Sequence, residues 1–390
     1  MKDKKFFYRR EKMIYLDYAA TTPMRQEAIE VYTEAATSYY GNSSSLHTLG
    51  TQAENLLTLC RKKLSLLVNC REDDLFFTSG GTEANYLAIH SLLKGKNDKR
   101  KHIVTTKLEH SSVLHTLQQL EKEGFSLSYV PVDQNGVVSV DDLKKTIRPD
   151  TVLVAIQHIN HELGTIQPVE DIGHFLSKKE ILFHCDCVQS FGKLPIDVKK
   201  LKADSISVSS HKIYGPKGVG MVYMNSSSSW KPIYHKATHE KGFRPGTVNT
   251  AGIAAFTAAA ECAYAEMKTA RSHYERLKSY LLENLEPLAP FIEVEGLGNS
   301  HFPGIIGLTF SNIQGQYVML QCNRHGIAIS TGSACHVNQQ EPLASLLAIG
   351  KSTANAKNFV RISFSQHSTF KHIDRLISVF HLLQQEFMTV

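Results

Sequence analysis

The chain has 390 residues, 42% hydrophobic and 21% charged, with a formal charge of +6. That length holds two or three folding units, and charges interspersed on a well-populated apolar background exclude wholesale disorder. The net charge is local: residues 1–12 carry six Lys/Arg and two Asp/Glu, leaving +2 for the other 378, so no basic face of the kind that selects nucleic acid is expected.

Taken in chain order, the basic start is followed not by an apolar secretory run but by Asp17, and Met13 is a second candidate start. Strand-length apolar runs then occur at Leu75–Thr78, His102–Thr106, Leu127–Val132, Thr151–Gln157, Leu182–Asp186, Ser205–Ser209 and Gly220–Met224. Between them lie amphipathic helical stretches, including Ala84–Leu93, Val113–Glu123 and Val169–Ser177. This alternation predicts an α/β fold with a largely parallel sheet covered by helices. After Met224 the pattern changes to a long helix over Ala254–Leu285, ended by Pro287, and a shorter α+β segment with strands near Ile305–Phe310, Ile327–Ser330 and Val360–Phe364. No run approaches the ~18 apolar residues of a membrane span. The seven cysteines are odd in number and scattered, which disfavours a disulfide framework and points to a reducing, cytoplasmic setting.

Four segments carry candidate chemistry. Lys212 stands just past the strand Ser205–Ser209, ahead of a Gly/Pro-rich turn, where α/β proteins place ligands. A lysine there suits a Schiff base; the alternative is a surface lysine before a turn. In Leu182–Gln189, strand alternation puts Phe183, Cys185 and Cys187 on one face and His184 with Asp186 on the other. A buried Asp needs a partner, either a protonated pyridine nitrogen or a nearby Arg or Lys, while Cys185 and Cys187 read as core thiols rather than metal ligands. Thr78-Ser79-Gly80-Gly81-Thr82-Glu83 joins a strand to a helix, a backbone N–H cradle for phosphate or simply a helix cap. Finally, Ser330–His336 combines small residues with Cys335 in a polar segment, which suits an exposed nucleophile; the alternative is an incidental exposed cysteine. The pairs His158/His161 and His235/His239, beside Glu162 and Glu240, lack the order of a zinc helix.

In order, LDYAATTP at 16–23, TSGGTEAN at 78–85, EH at 109–110, HCDCVQSFGK at 184–193, SSHKIYGPKGVG at 209–220, FRPGTVN at 243–249 and STGSAC at 330–335 resemble the class V, fold-type I pyridoxal-phosphate enzymes. More narrowly, they resemble the NifS/IscS-type cysteine desulfurases, closest to the Bacillus-type branch. The resemblance implies a 1–12 extension, a 13–25 segment packing on the small domain, a large cofactor domain over 26–262 with a mostly parallel seven-stranded sheet, and a small domain over 263–390 carrying a Cys loop at about 330–342.

It also implies roles. Lys212 would carry pyridoxal 5'-phosphate and serve as catalytic base, with Asp186 on the pyridine nitrogen, Gln189 on the ring hydroxyl and His110, a further catalytic residue, stacked on the ring. Gly81, Thr82, Ser209 and His211 would hold the phosphate, joined by Thr247 from the other subunit of a homodimer. Asn160 and Arg361 would grip the substrate carboxylate, Arg361 by a bidentate fork. Cys335 would take sulfur from L-cysteine as a persulfide, releasing L-alanine, and deliver it to an acceptor protein: an iron–sulfur scaffold, a tRNA thiolation enzyme or quinolinate synthase. No resident metal is implied, beyond a cluster transiently shared by Cys335 and a scaffold.

The alternatives are a selenocysteine lyase, another class V lyase or aminotransferase, or a cofactor-free binding scaffold. Two departures from the pattern stand out: His161 follows Asn160 where Asn or Ser is expected, and Ser365-Gln366-His367 follows Phe364. His336, beside Cys335, is a candidate proton relay or a bystander. Because four of the six net charges lie in residues 1–12, deleting them is expected to leave cysteine turnover intact, measured as alanine formation; a large loss would give that segment a function.

Overall fold

The computed structural model describes residues 13–96, 99–332 and 343–388. Its strands are β1 (Ile14–Tyr15), β2 (Leu75–Thr78), β3 (His102–Thr105), β4 (Ser126–Tyr129), β5 (Thr151–Ala155), β6 (Leu182–Asp186), β7 (Ser205–Ser209), β8 (Gly220–Met224), β9 (Ile292–Glu295), β10 (Ile305–Phe310), β11 (Ile327–Ala328) and β12 (Phe359–Ser363). Strands β2 to β8 form one seven-stranded sheet in the order β2-β8-β7-β6-β5-β3-β4. The run from β7 to β4 is parallel, and β8 lies antiparallel to both β2 and β7. The sequence placed these seven strands correctly, with β4 ending three residues earlier than expected and β5 two.

Two helical layers cover the sheet, and strand alternation decides what each meets. On one face, Phe183, Cys185, Cys187, Ile206 and Val208 pack with Leu57 and Leu64 of α2 (Thr48–Val68) and with Ile253 and Phe256 of the long Thr250–Leu285 helix. On the other, Leu153, Ala155 and Val222 meet Ala84, Leu87 and Ala88 of α3 (Gly81–Lys96) and Val113 and Leu117 of α4 (Ser111–Lys122). The polar members of β6 and β7 (His184, Asp186 and Ser205) point to this second face, beneath α3.

A second core gathers the C-terminal half of the long helix (Leu277, Leu281, Leu285), the antiparallel sheet β12-β10-β9 and the Phe370–Met388 helix. Leu16 and Ala19 belong to this core too. β1 pairs in parallel with β11, and Asp17 bridges to Ser363. The start of the described chain is thus a strap lying on the C-terminal core, with its following residues running across the carboxyl ends of β6 and β7. Among the described residues, no helix is long and apolar enough to cross a membrane.

The outer edge of the large sheet is pinned by charge. Glu240, in a left-handed conformation (φ 46°), receives both terminal nitrogens of Arg61 from α2 at 2.9 Å and the N–H of Phe77 at 2.7 Å. Arg61 also donates to Leu75 O at 2.6 Å and lies over the Phe77 ring. A fork of this kind fixes both partners' orientation. Here it holds β2, and so the Ser79-Gly80-Gly81 turn that follows it. Glu240 therefore serves an arginine and a strand rather than the neighbouring histidines. Replacing it with Ala removes two bonds from a mostly enclosed guanidinium and one from the Phe77 N–H, and Glu240→Ala is expected to cost about 1–3 kcal/mol, seen as a lower denaturation midpoint.

Candidate active site

The carboxyl ends of β3, β5, β6 and β7 open on a cavity of about 670 Å³. Lys107–Ser112 follow β3, Gln157 and His161 follow β5, Asp186–Gln189 end β6, and Ser209–Lys212 end β7; Arg361 from β12 and Ala19–Ala20 from the strap complete the wall. The termini of a parallel sheet gather loops at one edge, which is why residues so distant in sequence meet there.

Asp186 anchors the floor. Its Oδ2 accepts from Asn85 Nδ2 at 2.8 Å and its Oδ1 from the Val188 N–H at 2.9 Å. The Asn85 amide also donates to Ser112 Oγ at 2.9 Å, and its Oδ1 faces His184 Nε2 at 2.9 Å. On its other nitrogen, His184 Nδ1 lies 2.8 Å from Ser205 Oγ. This wiring fixes protons: His184 carries its hydrogen at Nε2 and accepts the Ser205 hydroxyl at Nδ1. Ser112 passes the chain on to His110 Nδ1, 2.8 Å away, where the Ser112 N–H also points. His110 is the N-cap of α4, so the helix end and the serine together set its ring. Burial is the main reason its proton affinity falls, with Asp186 opposing and Lys212 reinforcing that shift.

Lys212 Nζ donates to Ala19 O at 2.7 Å and Ala20 O at 2.8 Å. Ala19 O also receives Gln189 Nε2 at 2.8 Å, while Gln189 Oε1 accepts from Lys193 at 2.7 Å. Burial, with Lys212 and Arg361 nearby, pushes Lys193 down to about 7. Burial likewise pushes His211 down to about 4, with Lys212 and Lys217 adding to it, and its Nδ1 lies 3.0 Å from Thr21 Oγ1. Glu109, buried beside the floor with Oε1 accepting from Thr106, is driven well above the usual carboxylate range by burial.

A second hollow adjoins the first, lined by Thr21, Ser79–Glu83, Ser209, His211, Lys217 and Gly218. It shares Gly81, Thr82, Ser209 and His211 with the main cavity. Its shape depends on absent side chains. A Cβ on Gly81 would lie 2.6 Å from Val188 Cγ2, and one on Gly220 would lie 2.7 Å from Gly80 Cα. Gly80 itself has φ 147°, a conformation few other residues adopt. Backbone N–H groups at the head of the 16-residue α3 open here beside hydroxyls and an imidazole, an arrangement that suits a phosphate.

The remaining site residues fall in three places. Arg361, 2% exposed, gives Nη2 to Asp17 at 2.6 Å and Nη1 to His161 O at 2.8 Å and Gly332 O at 3.3 Å; its Nε is buried without a partner. Asn160 stands behind the wall: its amide donates to Leu108 O at 3.0 Å, and its Oδ1 accepts from the N–H groups of Glu162 and Leu163. Thr247 is exposed and outside this chain's cavity, on the segment held by the Arg244–Glu83 ion pair. Cys335 and His336 lie outside the described residues. Cys185 and Cys187 are buried with their sulfurs 3.7 Å apart, facing the apolar core away from Asp186.

Sequence reasoning had left Asn85 without a role, although it is a polar residue in the apolar stripe Ala84-Leu87-Ala88, which is a signal of buried hydrogen bonding. Lys193 and Asp17 had no such signal. Their importance comes from contacts across the fold.

The chain matches the family model for aminotransferase class-V over residues 14–376, and it belongs to that family. It is 44% identical over 376 residues to a putative cysteine desulfurase NifS of Bacillus subtilis, covering 96% of this chain and 95% of the relative. It is 35% identical over 380 residues to the cysteine desulfurase IscS of Dictyoglomus turgidum, covering 97% and 96%. A solved structure titled NifS-like protein superposes with a TM-score of 0.89 at 33% identity, covering 96% of this chain and all of that one. Another, titled SspA in complex with cysteine, gives 0.79 at 31% identity over 91% of this chain and all of that one. Within the family, the protein is a cysteine desulfurase of the NifS/IscS type.

The neutral, fully buried His184 ties the site to stability. Burial lowers it to about 4, with Asp186 opposing, so between about pH 6.5 and 4 the unfolded chain binds a proton that the folded one refuses. Stability therefore rises with pH through that window, and His184 contributes on the order of 3 kcal/mol of the change. The urea midpoint of the cofactor-free protein is expected to fall as pH drops from about 6.5 to 4, and His184→Gln is expected to flatten that slope.

Proposed function

We propose that this chain removes sulfur from L-cysteine with pyridoxal 5'-phosphate bound through Lys212, leaving L-alanine and a persulfide on Cys335. The observation that carries the reading is the convergence of a lysine amine, a buried carboxylate and a polar hollow at the head of α3 on one connected cavity. The hydrogen bonds that hold Asp186 come from an amide and a peptide N–H, so no protein cation is bonded to the carboxylate and it is placed to meet a positive group in the cavity.

The residues fit the cofactor. Lys212 would hold it covalently, Gly81, Thr82, Ser209 and His211 would cradle its phosphate, and Gln189 would meet its ring hydroxyl. Bound there, it supplies an electron sink for the α-carbon of an amino acid. Asp186 keeps a proton at the pyridine nitrogen, and His110, with its ring fixed by Ser112, covers the ring face. Arg361 binds the substrate carboxylate, using the buried Nε that has no partner of its own. Asn160 braces the turn that carries His161 and Glu162 beside that arginine. Once freed, the Lys212 amine takes the α-proton. Thr247, exposed on its own subunit, reaches the phosphate site of a second copy in a homodimer.

Cys335 then passes sulfur to an acceptor protein: an iron–sulfur scaffold, a tRNA thiolation enzyme or quinolinate synthase. Three preparations test the reading. Wild-type protein loaded with pyridoxal phosphate is expected to convert L-cysteine to alanine, and Lys212→Ala to lose turnover and the lysine-linked absorption band. Cys335→Ala is expected to keep that band while persulfide and sulfide formation fall at least ~100-fold. Undiminished sulfide release by Cys335→Ala would refute the persulfide route.

A further inference from the structure

The desulfurase chemistry leaves the half-buried amine of Lys193 without a task. It lies behind Lys212, in a further hollow of about 40 Å³ that shares Ala19 and Lys212 with the main cavity. That volume holds a few waters and no substrate, so Lys193 is not a second point of attachment. The chain coils after β6, with Phe191 N–H on Cys187 O and Leu194 N–H on Ser190 O, both at 2.9 Å. The coil brings Lys193 beside Gln189, four residues earlier, and its Nζ donates to Gln189 Oε1 at 2.7 Å. The Phe302 ring, 5.8 Å away at its centroid, lies on another side of the amine. Among the described residues no carboxylate pairs with Lys193, and Glu266 on the wall of the hollow is taken by Arg25 at 2.8 Å. The other charged or titratable groups facing it are Lys212 and His211 after β7, Arg361 from β12 and Arg271 on the long helix.

A side-chain amide can turn over and exchange its oxygen for its nitrogen with almost no change of shape, so its neighbours decide which end faces where. Gln189 has one neighbour of each kind. The Ala19 carbonyl can only accept, and it receives Nε2 at 2.8 Å; the Lys193 ammonium can only donate. Turned over, the amide would set oxygen against oxygen and N–H against ammonium. Nε2 carries two hydrogens and Ala19 takes one. The second is left for an acceptor in the main cavity, whose wall Gln189 lines.

We propose that Lys193 is a positioning residue for the cofactor, holding the Gln189 amide so that an N–H, and never its oxygen, meets the ring hydroxyl. This rests on the pyridoxal-phosphate reading above. A donor at that place stabilises the ring oxygen in its negative form, and an ammonium behind the amide strengthens the donor. The ring oxygen shares the proton of the Lys212–cofactor link, so such a donor lets the link lose its proton at lower pH. Once Lys212 is bound to the cofactor, its ammonium no longer opposes Lys193, which then keeps its own proton to higher pH.

The test reads the pH at which the lysine-linked absorption band of the cofactor-loaded enzyme titrates. Lys193→Met is expected to raise that midpoint by about one pH unit and Gln189→Leu by at least as much. The double variant is expected to go no higher than Gln189→Leu alone, because Lys193 acts through the amide. An unmoved midpoint in Lys193→Met overturns the proposal. So does a full second shift in the double variant, since Lys193 would then act on Lys212 through space. A second measurement needs neither variant nor cofactor. Burial, then Lys212 and Arg361, have Lys193 give up its proton at about 7 in the free protein, and a neutral amine can also accept, which loosens its hold. The side-chain amide signals of Gln189 in ¹⁵N spectra of the cofactor-free wild type are therefore expected to move with that midpoint. Signals that hold still between about pH 6 and 8 overturn the coupling. A loaded wild type without the lysine-linked band would instead overturn the cofactor reading, and the positioning role with it.

Discussion

The α3 face of the sheet is organised around one buried negative charge, the carboxylate of Asp186. An isolated ion in such a place costs several kcal/mol, and the fold answers with neutral dipoles: the Asn85 amide and the Val188 N–H. Satisfying Asn85 in turn requires His184 in one tautomer, and holding that tautomer requires Ser205 on the neighbouring strand. The same amide reaches Ser112, which orients His110. One side chain thus sets both the floor and the roof of the cavity. α3 can deliver Asn85 because it rides close over the sheet, an approach that the side-chain-free Gly81 and Gly220 permit.

Much of this was legible in the chain, and for identifiable reasons. Strand boundaries follow short apolar runs, and alternation alone separated His184 and Asp186 from the core thiols Cys185 and Cys187. Lys212 could be located because the end of a strand and a Gly/Pro turn mark a place in the fold. What stayed hidden depends on contacts between distant segments. Sequence reasoning offered Asp186 a pyridine nitrogen or a cation as partner, whereas its protein partners are an amide on a helix about a hundred residues earlier and a nearby peptide N–H. A bidentate grip of Arg361 on substrate was implied, yet Asp17 and two carbonyls already occupy its outer nitrogens. Asn160 looked like a substrate ligand, and in the structure its amide braces a turn.

The site also draws on both hydrophobic cores. The large sheet supplies Lys212, Asp186 and the hollow at the head of α3; the C-terminal core supplies Arg361. Between them runs the strap, whose carbonyls at Ala19 and Ala20 hold Lys212 and whose Asp17 holds Arg361. Thr21 and Thr22 add contacts to His211 and Tyr214. A shift of either core is therefore felt by the same few residues.

The strap has a consequence for how the protein is made. Ala19 donates its N–H to Ser363, 344 residues further along, and among the described residues β1 ladders only with β11. Among the first described residues to leave the ribosome, these must wait for nearly the whole chain before their partners exist, and such long-range closures are slow. The large sheet can assemble during synthesis, but the cavity can be sealed only after translation of β12. Until then Asp17 has no Arg361 to hold, and the groups drawn from the two cores remain apart while the chain is still growing.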